Sequence, residues 1–185
     1  MVKTDNPGWA EGLQLVPIVT LAFPFIVRGE VDLSRAAGAF LIAAALTIPV
    51  TLAVLVRGHL LNPILVGTAL WLWLGAVAFN VPADAAATWL TETQALGIFL
   101  FSLGVGSVVT FASPYGYVAC RSGSPAGRRR ASLALLAVTV AVVAWAWWWR
   151  ADIRLGGGLP FIVLNVVRRS LCMRMGRRKF DEARR

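Results

Sequence analysis

Apolar residues fall in long blocks along this chain, separated by short polar breaks. The first block runs from Leu13 to Val27 and is closed by Arg28. As a helix its 15 residues cover about 22 Å, short of a hydrocarbon core about 30 Å thick. It reaches crossing length when Trp9 and Ala10 join it, giving a span near 10–27 that Pro17 and Pro24 would bend. The second block, 36–56, lies between Arg35 and Arg57 and has crossing length, with Pro49 as a kink point. The third occupies 60–81, with Asn62-Pro63 near its start and Asn80 and Pro82 at its end. The fourth, 95–112, stops before Ser113-Pro114-Tyr115-Gly116, a turn-rich sequence. The fifth, 131–149, lies between Arg130 and Arg150. The pattern therefore predicts an all-α, polytopic transmembrane helical bundle of five or six helices in a single integral membrane domain over 1–185.

The last apolar piece, 155–169, is harder to place. It opens on Gly156-Gly157-Gly158-Leu159-Pro160, poor helix material, and Arg168 and Arg169 close it. By length it fits a short crossing, a re-entrant segment or an interfacial helix. The stretches Asp32–Arg35 and Ser122–Gly127 read as loops. The tetrapeptide Pro-Phe-Ile-Val occurs at Pro24 and again at Pro160. Its flanks do not match, so coincidence in an apolar chain explains it better than an internal repeat.

Composition agrees with the block pattern. Hydrophobic residues make up 58% and charged residues 15% of 185, and mean hydropathy is +0.70. Soluble domains average about 45–50% apolar and about 25% charged residues. A disordered chain is excluded, and a soluble globular enzyme is a poor fit.

Charge then sets an orientation. Net charge is +9, and apart from Lys3 and Lys179 every basic residue is arginine. The break after the second block carries Arg57, and the one after the third carries Asp84 and Glu92 but no Lys or Arg. The break after the fourth carries Arg121, Arg128, Arg129 and Arg130. This alternation reads in, out, in by the preference of Lys and Arg for cytoplasmic loops. The basic tail at 170–185 should be cytoplasmic too, which favours a sixth crossing within 155–169. The arginines stand at block edges, where topology and anionic lipid headgroups account for them; no nucleic-acid partner is expected. No small-residue cleavage site follows the first block, which argues against a cleaved secretory signal.

Candidate chemistry is sparse. Every Asp and Glu lies in a terminus or a break, which removes the buried carboxylates of proton-coupled pathways and the pairs that acid–base catalysis uses. No phosphate loop, nucleophile elbow or His-Glu-x-x-His is present, so no catalytic residue is assigned. Cys120 and Cys172 stand 52 residues apart without a histidine nearby, weak grounds for a disulfide or a zinc site. His59 alone cannot build a multi-histidine metal site, and at a block edge it reads as an interfacial residue; no metal or cofactor is expected. Gly67, Trp71 and Gly75 share one helical stripe and form the candidate ligand-binding cleft, against the plainer reading of a packing seam. Ser102, Gly106 and Thr110 form a second small-residue stripe, with Gly97, Gly104 and Ser107 nearby. Trp145, Trp147, Trp148 and Trp149 read as an aromatic belt at the headgroup level rather than a cage for a cationic ligand.

The segments Leu15-Val16-Pro17-Ile18-Val19 and Asp32 to Ala45, with Arg57 before the third block, resemble the intracellular septation protein A family of bacterial membrane proteins. The resemblance covers about the first 110 residues. Where that family has a Lys-Pro pair before its fourth helix, this chain has Thr91-Glu92-Thr93-Gln94, and the second half has no counterpart. The resemblance implies a cell-envelope role in the cytoplasmic (inner) membrane and carries over no functional residue. Together these readings give a non-enzymatic accessory or structural subunit that packs against other membrane proteins or copies of itself. The alternative is a small-solute transport or substrate-binding component.

Overall fold

The computed structural model describes residues 8–28, 33–81, 84–93, 95–150, 152 and 154–184, and these are helical apart from short connections. Seven α-helices follow one another: α1 (Gly8–Arg28), α2 (Leu33–Val56), α3 (Pro63–Asn80), α4 (Asp84–Thr93), α5 (Leu96–Ala112), α6 (Pro125–Trp148) and α7 (Leu159–Arg184). A π-helical turn, Arg154–Gly158, leads into α7. Among the described residues three stretches are long and apolar enough to cross a membrane: Ala37–Val56, Pro63–Asn80 and Pro125–Trp148. Trp9–Ala22 and Leu96–Ala112 are shorter apolar helices.

Several boundaries differ from those read in the sequence. The 60–81 block becomes helical only at Pro63, because Asn62 caps it: its side-chain oxygen accepts from Ile64 N at 3.1 Å, and proline follows at the first helical position. The expected acidic break after α3 contains a helix, α4. Asp84 suits a helix N-terminus, and Ala85, Ala86 and Ala87 are strong helix formers. Of the two expected loops, Asp32–Arg35 gives way to α2 from Leu33 onward. Ser122–Gly127 ends early, because Ser124 Oγ accepts from Gly127 N at 3.1 Å and Pro125 starts α6. Arg128, Arg129 and Arg130 therefore belong to the helix. From Leu159 onward the short apolar piece and the basic tail are one helix, α7, of 26 residues. Arginine ends an apolar run but is a good helix former, so charge did not mark the end of the helix.

The triple glycine lies in a tight turn ahead of α7. The Asp152 carboxylate accepts from Arg154 N at 2.8 Å and Leu155 N at 3.1 Å, and Gly156 N donates to Asp152 O at 2.7 Å. A Cβ on Gly156 would lie 2.4 Å from Trp149 O, so only glycine permits this approach. Trp145 Nε1 donates to Leu155 O at 3.0 Å and fastens the turn to α6. Arg150 lies over Trp147, 4.8 Å from its ring centre, so the tryptophan cluster already holds a cation of its own chain.

Two apolar cores result. One joins α1, α2, α3 and α4 through Leu21, Phe40, Trp71, Leu72 and Leu90. The other joins α3, α5, α6, α7 and the 113–124 connection through Ile64, Phe99, Tyr117, Leu135 and Leu164. Large apolar side chains also face outward on most helices, among them Leu52, Val56, Val108, Phe111, Val140 and Ile162. In water such a surface would be an association liability; in a bilayer it is the lipid-facing side.

Candidate functional site

A set of polar residues from several elements gathers at one end of the bundle. There the N-terminal turns of α1 meet the 57–62 connection, the 113–124 connection, the first half of α6 and the middle of α7. Gln14, buried on α1, donates to Ala10 O at 3.0 Å and accepts from Asn62 N at 2.9 Å. Asn62 Nδ2 donates to Asn165 Oδ1 at 3.0 Å, and Asn165 Nδ2 donates to Phe161 O at 2.9 Å. One helical turn along α7, Arg168 forms an ion pair with Glu11 and donates through Nη1 to Val118 O at 3.3 Å. Arg168 is only 3% exposed, and its Nε finds no hydrogen-bond partner among the described residues.

The 113–124 connection is fixed to the same cluster. Val118 N donates to Ser132 Oγ at 3.4 Å, and the Tyr117 hydroxyl lies 3.2 Å from Thr139 Oγ1. Burial pushes the Tyr117 hydroxyl up to about 12, while the bond to Thr139 and the charge of Arg168 act in the opposite direction. Ala119 has φ of 49°, a left-handed conformation unusual for a residue with a Cβ. Cys120 follows, joined to Cys172 of α7 by a disulfide with a Cα–Cα distance of 5.8 Å. A disulfide thus forms where the sequence offered only weak grounds for one. A spacing of 52 residues gives no through-space distance; α6 leaving and α7 returning bring the two together.

Around the rim, His59 meets the Trp9 ring edge-on at 5.1 Å, and the Arg57 guanidinium lies 4.8 Å from the centre of the same indole. Arg121 donates to Gly58 O, tying the 113–124 connection to the one after α2. Arg128 Nη1 donates to Arg121 O at 3.3 Å and Gly123 O at 3.1 Å.

The glycine stripe of α3 lies elsewhere. A Cβ on Gly67 would come within 2.5 Å of Ser102 Cα, and one on Gly75 within 2.2 Å of the Phe40 ring. Trp71 is buried edge-to-face against Phe40, and its indole covers Gly97. Protein thus fills the room that Gly67 and Gly75 leave. On the second stripe, Ser102 Oγ donates to Ile64 O at 3.1 Å. The Tyr117 ring fills the place beside Gly106. An apolar cleft of about 380 Å³ opens between α1, α2 and α3, walled by Gln14, Ile18, Thr47, Leu65, Thr68 and Trp73, a neighbouring face of α3.

Sequence reasoning missed Arg168 as an interior residue, because Arg169 beside it made the pair read as the end of an apolar run. A signal existed: Asn165, Arg168 and Cys172 recur at three and four residues and share one face of α7, as Glu11 and Gln14 do on α1. Among the described residues no group of three His, Cys, Asp or Glu side chains could hold a metal ion. The cluster has the means to tie helices together through amides and one ion pair. The chain matches no family model, and neither a curated protein nor a solved structure matches it.

Proposed function

We propose that this is a non-enzymatic membrane protein of the bacterial cytoplasmic membrane, with α1, α2, α3, α5, α6 and α7 crossing and the arginine-rich end in the cytoplasm. It acts as an accessory or structural subunit whose outer apolar faces meet lipid and other membrane proteins, in a cell-envelope role of the kind the septation-protein resemblance implies. The observation that carries this reading is that polar side chains at one end bridge separate elements: Glu11 with Arg168, Gln14 with the backbone of Asn62, Asn62 with Asn165, Tyr117 with Thr139. A solute pathway needs groups left to meet the solute, whereas these are used in joining helices. Reporter fusions after Arg57 and after Gly127 are expected to read cytoplasmic, and one after Asp84 external. Mild-detergent purification is expected to retain a partner protein or a second copy. An external reading at Gly127, or a monomer that purifies alone, defeats the respective half of the reading.

The cleft between α1, α2 and α3 favours a second reading, the binding of a small apolar solute. A compound that raises the unfolding temperature of the wild type but not of Thr68→Leu would support it.

A further inference from the structure

The Cys120–Cys172 disulfide stands at the end of the molecule that carries Arg57, Arg121, Arg128 and the basic half of α7. Two physical rules meet there in opposition. Arginine-rich connections mark the cytoplasmic side. Disulfides persist in oxidising compartments, and those of ordinary cytosolic proteins are transient, catalytic or redox-sensing. Both hold together if the bond is made and broken in place. Resting on the orientation given under Proposed function, we propose that Cys120 and Cys172 form a reversible peroxide-responsive thiol pair on the cytoplasmic face, whose oxidation clamps the 113–124 connection onto α7.

Arg121 follows Cys120 in the chain, and Arg168 precedes Cys172 by one helical turn, so basic residues flank both positions in sequence. Cys120 is 0% exposed and Cys172 9%, so the oxidant must be small and Cys172 is the side of entry. The Cys172 thiolate attacks one oxygen of hydrogen peroxide; the O–O bond breaks, and the departing hydroxide takes a proton to leave as water. The sulfenic acid so formed is attacked by the Cys120 thiolate; the S–S bond forms, the S–O bond breaks, and a second water leaves. Two thiols lose two electrons and two protons, and one peroxide becomes two waters. A small dithiol reverses the reaction by exchange.

The clamp adds to the apolar packing this segment already makes with α7. Besides the disulfide, Arg168 holds Val118 O, and Met175 packs under Gly123. The same connection leads directly into Arg128, Arg129 and Arg130. Oxidation therefore ties the connection ahead of these α6 arginines covalently to α7, and reduction leaves it held by its remaining contacts.

The test uses the full chain in cell membranes. Cells are quenched in acid, and free thiols are tagged with a polymer-linked maleimide that shifts the band on a gel. Two tags are expected in unstressed cells, none after a peroxide pulse, and two again after dithiothreitol. Cys120→Ser and Cys172→Ser should each carry one tag throughout. In inside-out vesicles, trypsin should cut between Arg121 and Arg130 several-fold faster in reduced than in oxidised wild type, with Cys172→Ser always at the fast rate. An untaggable pair in unstressed cells, two tags throughout the peroxide series, or equal cutting rates would overturn the proposal. An external reporter reading at Gly127 would overturn the orientation and this proposal with it. A cytoplasmic reading with a permanently oxidised pair would overturn this proposal alone.

Discussion

Tyr117 concentrates several constraints in one side chain. Its ring occupies the place a Cβ on Gly106 would need, and its hydroxyl reaches Thr139 at 3.2 Å. Its acidity is lowered by burial, from the ordinary 10.0 to about 12. A phenol whose folded value lies above its unfolded one stabilises the fold fully below pH 10 and loses that contribution as pH rises toward about 12. Two units correspond to about 2–3 kcal/mol. Wild-type stability in detergent should therefore fall across this window. Tyr117→Phe, which cannot ionise, should start lower by about 1 kcal/mol for the lost hydrogen bond and show a flatter profile. Equal slopes for the two proteins would show that Tyr117 does not govern the alkaline limb.

Helix packing is decided by how near two backbones come. Gly67 of α3 faces the Ser102 backbone of α5 at a distance that admits no side chain, whereas nothing lies within 4 Å of a Cβ on Gly104. Gly67→Ala should cost about 2–3 kcal/mol, because α3 and α5 must separate. Gly104→Ala should be neutral or gain up to roughly 1 kcal/mol, since alanine is the better helix former. Thermal unfolding of both in one detergent checks the contrast, and equal effects would remove the close approach as its cause. Such contrasts are invisible in a sequence where both glycines sit in apolar helices. The apolar blocks did reveal α2, α3, α5 and the greater part of α6, because hydrophobicity is continuous there, at crossing length in all but α5. They hid α4, which is short and carries Asp84 and Glu92, and the lower half of α7, which is basic. Of the polar cluster, Asn62 was legible as a boundary residue. Its pairing with Asn165, and that of Cys120 with Cys172, depend on how α7 returns along α6.

At the scale of the whole molecule, the Glu11–Arg168 pair joins the first described helix to the last. The side chain of Glu11 is 25% exposed and that of Arg168 4%, so the two partners should respond unequally to loss of the other. Glu11→Ala strands a buried guanidinium and should cost about 3 kcal/mol or more. Arg168→Met leaves a carboxylate that water can reach and should cost distinctly less, as measured by unfolding in the same detergent. Equal costs would mean that Arg168 is rehydrated as readily as Glu11. The pair closes across 157 residues of sequence. At about 5–20 residues per second, a ribosome needs roughly 8–30 s to deliver the arginine after the glutamate. Throughout that interval α1 carries an acid that has yet to meet its base. A chain cut short before α7 never acquires it. An unmatched Glu11 thus marks an unfinished molecule, and the arrival of Arg168 erases that mark.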